Sequence, residues 1–414
     1  MENSKEQEKQ KIILLTPQKH LGPKGLILFI ALMGMFIPLS IDLYLPAMPA
    51  MTNYFHTTTT KVNFTLIAFY FFFAVGILLF GPFSDKYGRR PILISCLLLY
   101  TAGSAACAMA ISIDQLILFR IAQAFGAGGV MAISTALVKD CFSGKLKSKV
   151  LAAVQVMGVM APMVAPIAGA AILRVAEWRE TFWILALIGI VTLITTLLFQ
   201  ETLPRTSRYQ GSLGGALVSL LVVGKNLGFS TFLLIAAMLA APYMAYVTLS
   251  SYIYQNYFSL NAQAYSYFFA INSALAILGP FIYIRTIGKL SARTFSWCCF
   301  EVAFISGLCV LIFGNDSPLA FLLSYVPFTL VESAIRPFST NILLDQQSEN
   351  IGSASSLINA VHTVLGSMGM VLSSLPWGNL IYGLGMIMVS ASLVAVAVWI
   401  ILLRSKVTIV GLKE

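Results

Sequence analysis

Stretches of about twenty apolar residues, repeated twelve times, leave this chain few ways to fold. They run at roughly 26–50, 61–81, 91–110, 114–138, 149–173, 180–200, 229–255, 263–284, 293–313, 318–344, 353–374 and 377–402. Hydrocarbon offers no partner to a backbone N–H or C=O. A segment of this length therefore crosses a bilayer as a helix whose hydrogen bonds are all internal. The chain is 58% hydrophobic and 10% charged, where soluble domains carry about a quarter charged residues. The expectation is an all-α integral membrane protein, multi-pass, with transmembrane helices numbered 1 to 12 in chain order.

Connections are short, so consecutive helices are antiparallel neighbours. The longest, 201–228, carries Pro204, Arg205, Arg208, Gly211, Gly214 and Gly215 near mid-chain. It divides the chain into two six-helix bundles, 26–200 and 229–402, with polar tails at 1–25 and 403–414. The first tail is lysine-rich and lacks a small-residue cleavage site, which fits a soluble tail rather than a signal peptide. Of the 26 Lys and Arg, Lys61, Arg174 and Arg179 lie on the face opposite the termini, and Arg120 and Arg336 fall inside helices. All the others share the face of the two termini. That bias places both termini in the cytoplasm and the loops 55–62 and 174–180 outside. The net charge of +10 follows from this topology, so no nucleic-acid partner is expected. Cys96, Cys107, Cys298, Cys299 and Cys309 sit in apolar segments and Cys141 in a basic loop, without metal-ligand spacing to the histidines. They read as free packing thiols, with no metal or other cofactor implied. A membrane enzyme would need a nucleophile–base or metal set at a water interface, and the sequence offers none.

Between helices 2 and 3 lies Gly81-Pro82-Phe83-Ser84-Asp85-Lys86-Tyr87-Gly88-Arg89-Arg90-Pro91-Ile92-Leu93. Two glycines permit a tight turn, three basic residues hold it inside, and Asp85 is the one acid among them. An ordinary basic turn is the plainer alternative. Gly279-Pro280-Phe281 near the end of helix 8 echoes Gly81-Pro82-Phe83, although the loop after it (Arg285, Gly288, Lys289) has no acid. The echo supports repeated bundles.

Ionisable groups inside the apolar segments are expensive, so each is a functional candidate. In helix 1, Asp42 is followed by Tyr44, Pro46 and Pro49, and the prolines loosen the helix; an interfacial acid near a helix end is the alternative. Arg120 in helix 4 cannot lose its charge and needs an anion or water. Asp42 lies roughly 24 Å from the inner start of helix 1, and Arg120 about 21 Å from the inside. Level placement makes a direct or water-bridged pair the expectation. Helix 5 reads Gly158-Val159-Met160-Ala161-Pro162-Met163-Val164-Ala165-Pro166-Ile167-Ala168-Gly169. Its small residues recur every fourth position, where they let another helix approach closely. In the second half, Glu301, Glu332 and His362 lie roughly 9–14 Å from the inside, an expected inner cluster together with Arg336. Glu332 and Arg336 are spaced i,i+4, so neutralising each other is the alternative. Helix 7 offers Tyr243, Tyr246, Tyr254 and Tyr257 either as a substrate surface or as an interfacial belt.

The 81–93 loop resembles the signature loop of the major facilitator superfamily, with Phe83 in place of leucine. Asp42-x-x-x-Pro46-x-x-Pro49, Arg120-x-x-Gln123-Ala124 and the helix 5 stretch are similar to motifs of its twelve-helix drug:proton antiporters. Gly34 stands where some multidrug relatives carry a second acid, and Ala124, Ala161, Ala165 and Ala170 stand where glycine is commoner. Pro38 to Pro46, Gly352 to Ser356 and Thr181 to Ala186 resemble the bicyclomycin/chloramphenicol-resistance (Bcr/CflA) branch. The resemblance implies alternating access of two bundles, with helices 1, 4, 7 and 10 lining the cavity and helix 9 peripheral. It further implies a monomer in a bacterial inner membrane, exchanging protons for an amphipathic drug or a polar metabolite. Asp140 and Glu201 would meet Arg89 and Arg90, with Arg90 on Asp140. Asp85 would meet the start of helix 11 in the outward-open state. An uptake symporter and a dedicated metabolite or metallophore exporter stay open.

Overall fold

The computed structural model describes residues 18–211, 213–287, 289–346, 351–405, 407 and 409. Gly288 and most of both expected tails lie outside these residues. The described chain is helical, and its membrane-length helices follow the apolar stretches closely. In order they are Gly22–Tyr54, Thr59–Tyr87, Arg89–Ala108, Ile113–Cys141, Gly144–Ile172, Trp178–Leu198, Leu227–Tyr257, Ala262–Thr286, Ala292–Phe313, Pro318–Asp345, Ile351–Ser373 and Leu380–Arg404. These are helices 1 to 12.

Local chemistry sets the ends. Side-chain oxygens of Thr58, Ser112, Asn261, Ser291, Ser317 and Asn379 each accept from a first-turn backbone N–H, and Glu177 with Glu180 forms a reciprocal capping box. Such caps satisfy donors that a helix start otherwise leaves unpaired. Helix 1 is interrupted where its prolines lie: Phe36–Asp42 ends, Leu45–Ala47 forms a single 3-10 turn, and Met48–Tyr54 resumes. Pro46 has no N–H to continue the ladder. Helix 7 closes with a π turn, Ile253–Tyr257.

Helix 3 packs between helices 4 and 6, helix 2 on helix 4, helix 9 between helices 10 and 12, and helix 7 on helix 11. Helices 2 and 11 meet across the molecule, as do helices 5 and 8. The described hydrogen bonds joining one set of six helices to the other lie on the face away from the termini. Thr60 Oγ1 donates to the Ser374 carbonyl at 2.9 Å and Asn63 Nδ2 to Ser374 Oγ at 3.1 Å. Ser251 Oγ donates to the Leu45 carbonyl at 2.7 Å and Gln255 Nε2 to the Pro46 carbonyl at 3.0 Å. The molecule is therefore closed on the face away from the termini.

One element was not expected. Within the 201–228 connection, Leu213–Gly224 (LGGALVSLLVVG) forms a helix that packs on helices 2 and 11. At twelve residues it is too short to span. Of its described side chains Val223 is buried, while Val218, Leu221 and Val222 stay exposed.

Candidate functional site

The break in helix 1 places Asp42 at the last residue of its second piece, 5% exposed. Helix 5 is pressed against the next residue. A Cβ on Gly169 would stand 1.9 Å from the Leu43 carbonyl oxygen, so glycine is what allows this crossing. Pro162 and Pro166 lie inside the same helix, while no described atom lies within 4 Å of the Cβ direction at Gly158. The two motif glycines thus have different surroundings.

Arg120 is fully buried. Its Nη1 donates to the Ser40 carbonyl at 2.9 Å and to Gln123 Oε1 at 2.7 Å. Gln123 Nε2 donates in turn to Ser104 Oγ at 2.8 Å, and Ser40 Oγ shares a 2.8 Å hydrogen bond with the Tyr100 hydroxyl. The guanidinium carbon lies 4.3 Å from the Phe69 ring centre, 4.9 Å from Tyr44 and 5.6 Å from Phe182. The Tyr44 hydroxyl is bonded to Thr65. Desolvated cation–π contacts are worth about 2 kcal/mol or more, and this aromatic cage does much of what an anion would do. Among the described residues, Arg120 Nε and Nη2 have no hydrogen-bond partner within bonding geometry.

Of the direct or water-bridged Asp42–Arg120 pair expected, the direct form is not made. Arg120 does sit level with Asp42, two residues away at Ser40, but it grips the backbone. Among the described residues the Asp42 and Arg120 side chains are not within the 4.0 Å of an ion pair. Asp42 is within electrostatic reach of Tyr70 on helix 2 of its own bundle and of Tyr243 and Tyr265 on the second. Tyr70, missed in the sequence among a run of aromatics, is also within reach of Arg336 and Tyr243.

On the other side, Glu332 is 8% and His362 7% exposed, while Arg336 is exposed. Glu332 and Arg336 do not form an ion pair among the described residues, although the Arg336 charge reaches Glu332. The Arg336 charge acts on Tyr243, Glu332 and His362, and His362 Nε2 has no hydrogen-bond partner. Helices 1, 2, 7, 10 and 11 thus bring Asp42, Tyr70, Tyr243, Glu332, Arg336 and His362 into one electrostatic neighbourhood. Two expected members are excluded. Glu301 is exposed on helix 9, opposite the face that packs through Phe300, Ala303, Ser306 and Gly307. Tyr246 is 1% exposed and stacked on Tyr325, with ring centres 4.0 Å apart; it belongs to an aromatic core with Phe269 and Phe321.

At the face of the termini, Gly88 ends helix 2 with φ +105°, a conformation that L side chains rarely adopt. Its missing side chain leaves room for Glu201: a Cβ there would stand 2.5 Å from Glu201 Oε2. The Glu201 carboxylate accepts from the backbone N–H of Arg89 (3.0 Å), Arg90 (3.1 Å), Thr202 and Leu203 (both 3.0 Å). It caps helix 3, where a negative charge is favoured. Arg89 Nε bonds Asp140 Oδ2 at 2.9 Å and Arg89 Nη1 bonds Asp85. Arg90, expected on Asp140, instead donates to the carbonyls of Thr196 (3.4 Å) and Leu197 (2.7 Å). No described atom lies within 4 Å of a Cβ at Gly81. The described contacts of Asp85 are with Arg89 and, through its carbonyl, with the Tyr209 N–H at 3.0 Å. The side chains of residues 351–353 lie outside the description.

The sequence family that matches is described as Major Facilitator Superfamily, over residues 27–370. The chain is 29% identical over 358 residues to "Uncharacterized MFS-type transporter YdgK" of Bacillus subtilis, covering 85% of this chain and 88% of that one. It is 25% identical over 355 residues to "Bicyclomycin resistance protein homolog" of Haemophilus influenzae, covering 84% and 89%. Among solved structures it superposes on a bacterial homolog of the human lysosomal transporter Spinster, inward-facing and unoccupied, with TM-score 0.72 and 15% identity over 93% of this chain and 97% of that one. With this fold and this match, the chain belongs to the Major Facilitator Superfamily and is a multi-pass membrane transporter.

Proposed function

We propose that the protein exports small organic molecules in exchange for protons across a bacterial inner membrane, with both termini in the cytoplasm. The carrying observation is Asp42: buried, at a helix break, and without a hydrogen-bond or ion-pair partner among the described residues. A bare carboxylate in such a place costs several kcal/mol. It is relieved by taking a proton or by meeting a cationic group of the solute, and competition between the two is what antiport requires. Arg120 acts as a positioning residue, fixing the backbone at Ser40. Alternating access then carries the site from face to face. The similarity to a bicyclomycin-resistance homolog supports organic antibiotics as one substrate class.

A second reading concerns the solute. Arg336 is exposed and not ion-paired with Glu332, so the neighbourhood offers both signs of charge. This favours a zwitterionic metabolite over a purely lipophilic drug. Everted vesicles with an acidified lumen test both readings. Adding a transported solute should release luminal protons in the parent protein and not in Asp42→Asn, and uphill transport by that variant sinks the assignment. Cysteines at Lys61 and Lys147 should be labelled from opposite faces.

A further inference from the structure

Away from the central site, helices 9 and 12 leave a shallow cleft at the membrane edge on the face of the termini. It has a volume of ≈ 390 Å³ and is lined by Arg293, Trp297, Ile400, Leu403 and Arg404. Both arginines are exposed, and among the described residues neither forms an ion pair. Among the described residues, then, no acid lines the cleft that these two guanidiniums share. Arg293 and Trp297 are spaced i,i+4 on helix 9, and Arg404 closes the last turn of helix 12.

Beyond the cleft, toward mid-membrane, the same two helices expose Ile305, Leu308, Leu393, Val394 and Ile401. Glu301 is exposed about 12 Å further along helix 9 than Arg293 and does not line the cleft. We propose that this cleft binds the phosphodiester headgroup of an anionic phospholipid in the leaflet on the side of the termini. Arginine forks match phosphate oxygens in pairs of hydrogen bonds. Indole rings settle at the headgroup level, and basic pockets between transmembrane helices select anionic heads. The exposed apolar surface beyond continues along the path of the acyl chains. The site needs neither Asp42 nor any direction of transport.

The test is native mass spectrometry of the full chain purified with phosphatidylglycerol or phosphatidylcholine, beside the Arg293→Gln/Arg404→Gln double variant. A charge-matched Lys19→Gln/Lys24→Gln variant serves as the control. The parent and the control should retain a phosphatidylglycerol adduct at least tenfold more than a phosphatidylcholine one, and the double variant should lose that preference. Millimolar inorganic phosphate should not displace the adduct. Equal retention of both lipids, or an unchanged preference in the double variant, overturns the proposal. Displacement by inorganic phosphate would make this a free-anion site, and a dimer lost in the double variant would make it an interface between copies. Either result also overturns it.

Discussion

Replacing Gly169 by alanine tests whether the helix 5 motif is there to bring two backbones together. The added Cβ would lie 1.9 Å from the Leu43 carbonyl oxygen, where contacts under 3.0 Å are essentially never seen. Helix 1 and helix 5 must separate by at least about 1 Å at the residue following Asp42. Overpacking of this kind costs about 1–3 kcal/mol. Alanine also gains roughly 1 kcal/mol over glycine in a helix, which masks part of the loss. Gly158→Ala shares that gain, and no described atom lies within 4 Å of its new methyl group. The difference between the two variants therefore isolates the steric cost. Apparent Tm values in one detergent at one scan rate should place Gly158→Ala at or above the parent. Gly169→Ala should fall several degrees below Gly158→Ala, at about 2–4 °C per kcal/mol for a unit the size of one bundle. Uphill transport should fail in Gly169→Ala alone. Equal Tm values and equal transport in the two variants would refute the close-packing argument.

Other perturbations separate neighbouring roles. Arg89→Ala should lower stability and transport more than Arg90→Ala, because it strips Asp85 and Asp140 of a buried cation while Arg90 loses only backbone acceptors; paired Tm and efflux measurements decide it. Arg120→Lys should fold, since lysine keeps the charge, yet lose transport because a point charge cannot hold Ser40 and Gln123 while lying against Phe69; retained transport would separate the cage from function. Asp85→Asn should fold, lose transport, and raise the reactivity from the cytoplasmic side of a cysteine placed at Ser355. Unchanged reactivity would mean that Asp85 acts otherwise. Asn63→Ala together with Ser374→Ala should raise labelling from the outer face at a cysteine replacing Gln255, and unchanged labelling would count against these hydrogen bonds as the outer closure.

The helices were legible because lipid leaves a backbone little choice, and apolar length marks each crossing. Depth was legible too: arithmetic along helices 1 and 4 placed Arg120 level with Asp42, and it does reach Ser40. Azimuth was not. A periodic pattern that is apolar all round does not say which face meets a neighbour, so Arg120 was paired with a carboxylate when its partner is a carbonyl. The same blindness put Glu301 in a cluster that its helix turns away from, and Tyr246 on a cavity when it is stacked in a core. Adjacent residues at a helix start point about 100° apart, which is why Arg89 and not Arg90 takes Asp140. The resemblance did place Glu201 at Arg89 and Arg90, but that it meets their backbone N–H groups as a cap, not their guanidiniums, needed the fold itself.

The bonds that close one face of the molecule and the charged groups at the other differ in chemistry, and this bears on how it cycles. The outer closure uses neutral groups: Thr60, Asn63, Ser251 and Gln255 donate to Ser374, Leu45 and Pro46. At about 0.5–1.5 kcal/mol each, these bonds together favour the closed outer face by several kcal/mol. An opposite state of comparable energy must collect a similar sum on the inner face. There the built elements are charged: Asp85, Arg89, Asp140 and Glu201 are already joined to one another around the turn at Gly88. A single acid meeting the start of helix 11 is worth up to about 2 kcal/mol, a thirtyfold shift but less than the outer bonds combined. Inner closure therefore needs more than Asp85, and the linker helix, packed on both helix 2 and helix 11, is placed to supply it by burying its apolar side as those two ends approach. On this reasoning salt weakens the inner closure and leaves the outer one largely untouched. Raised ionic strength should then shift the population toward the state seen in this structure.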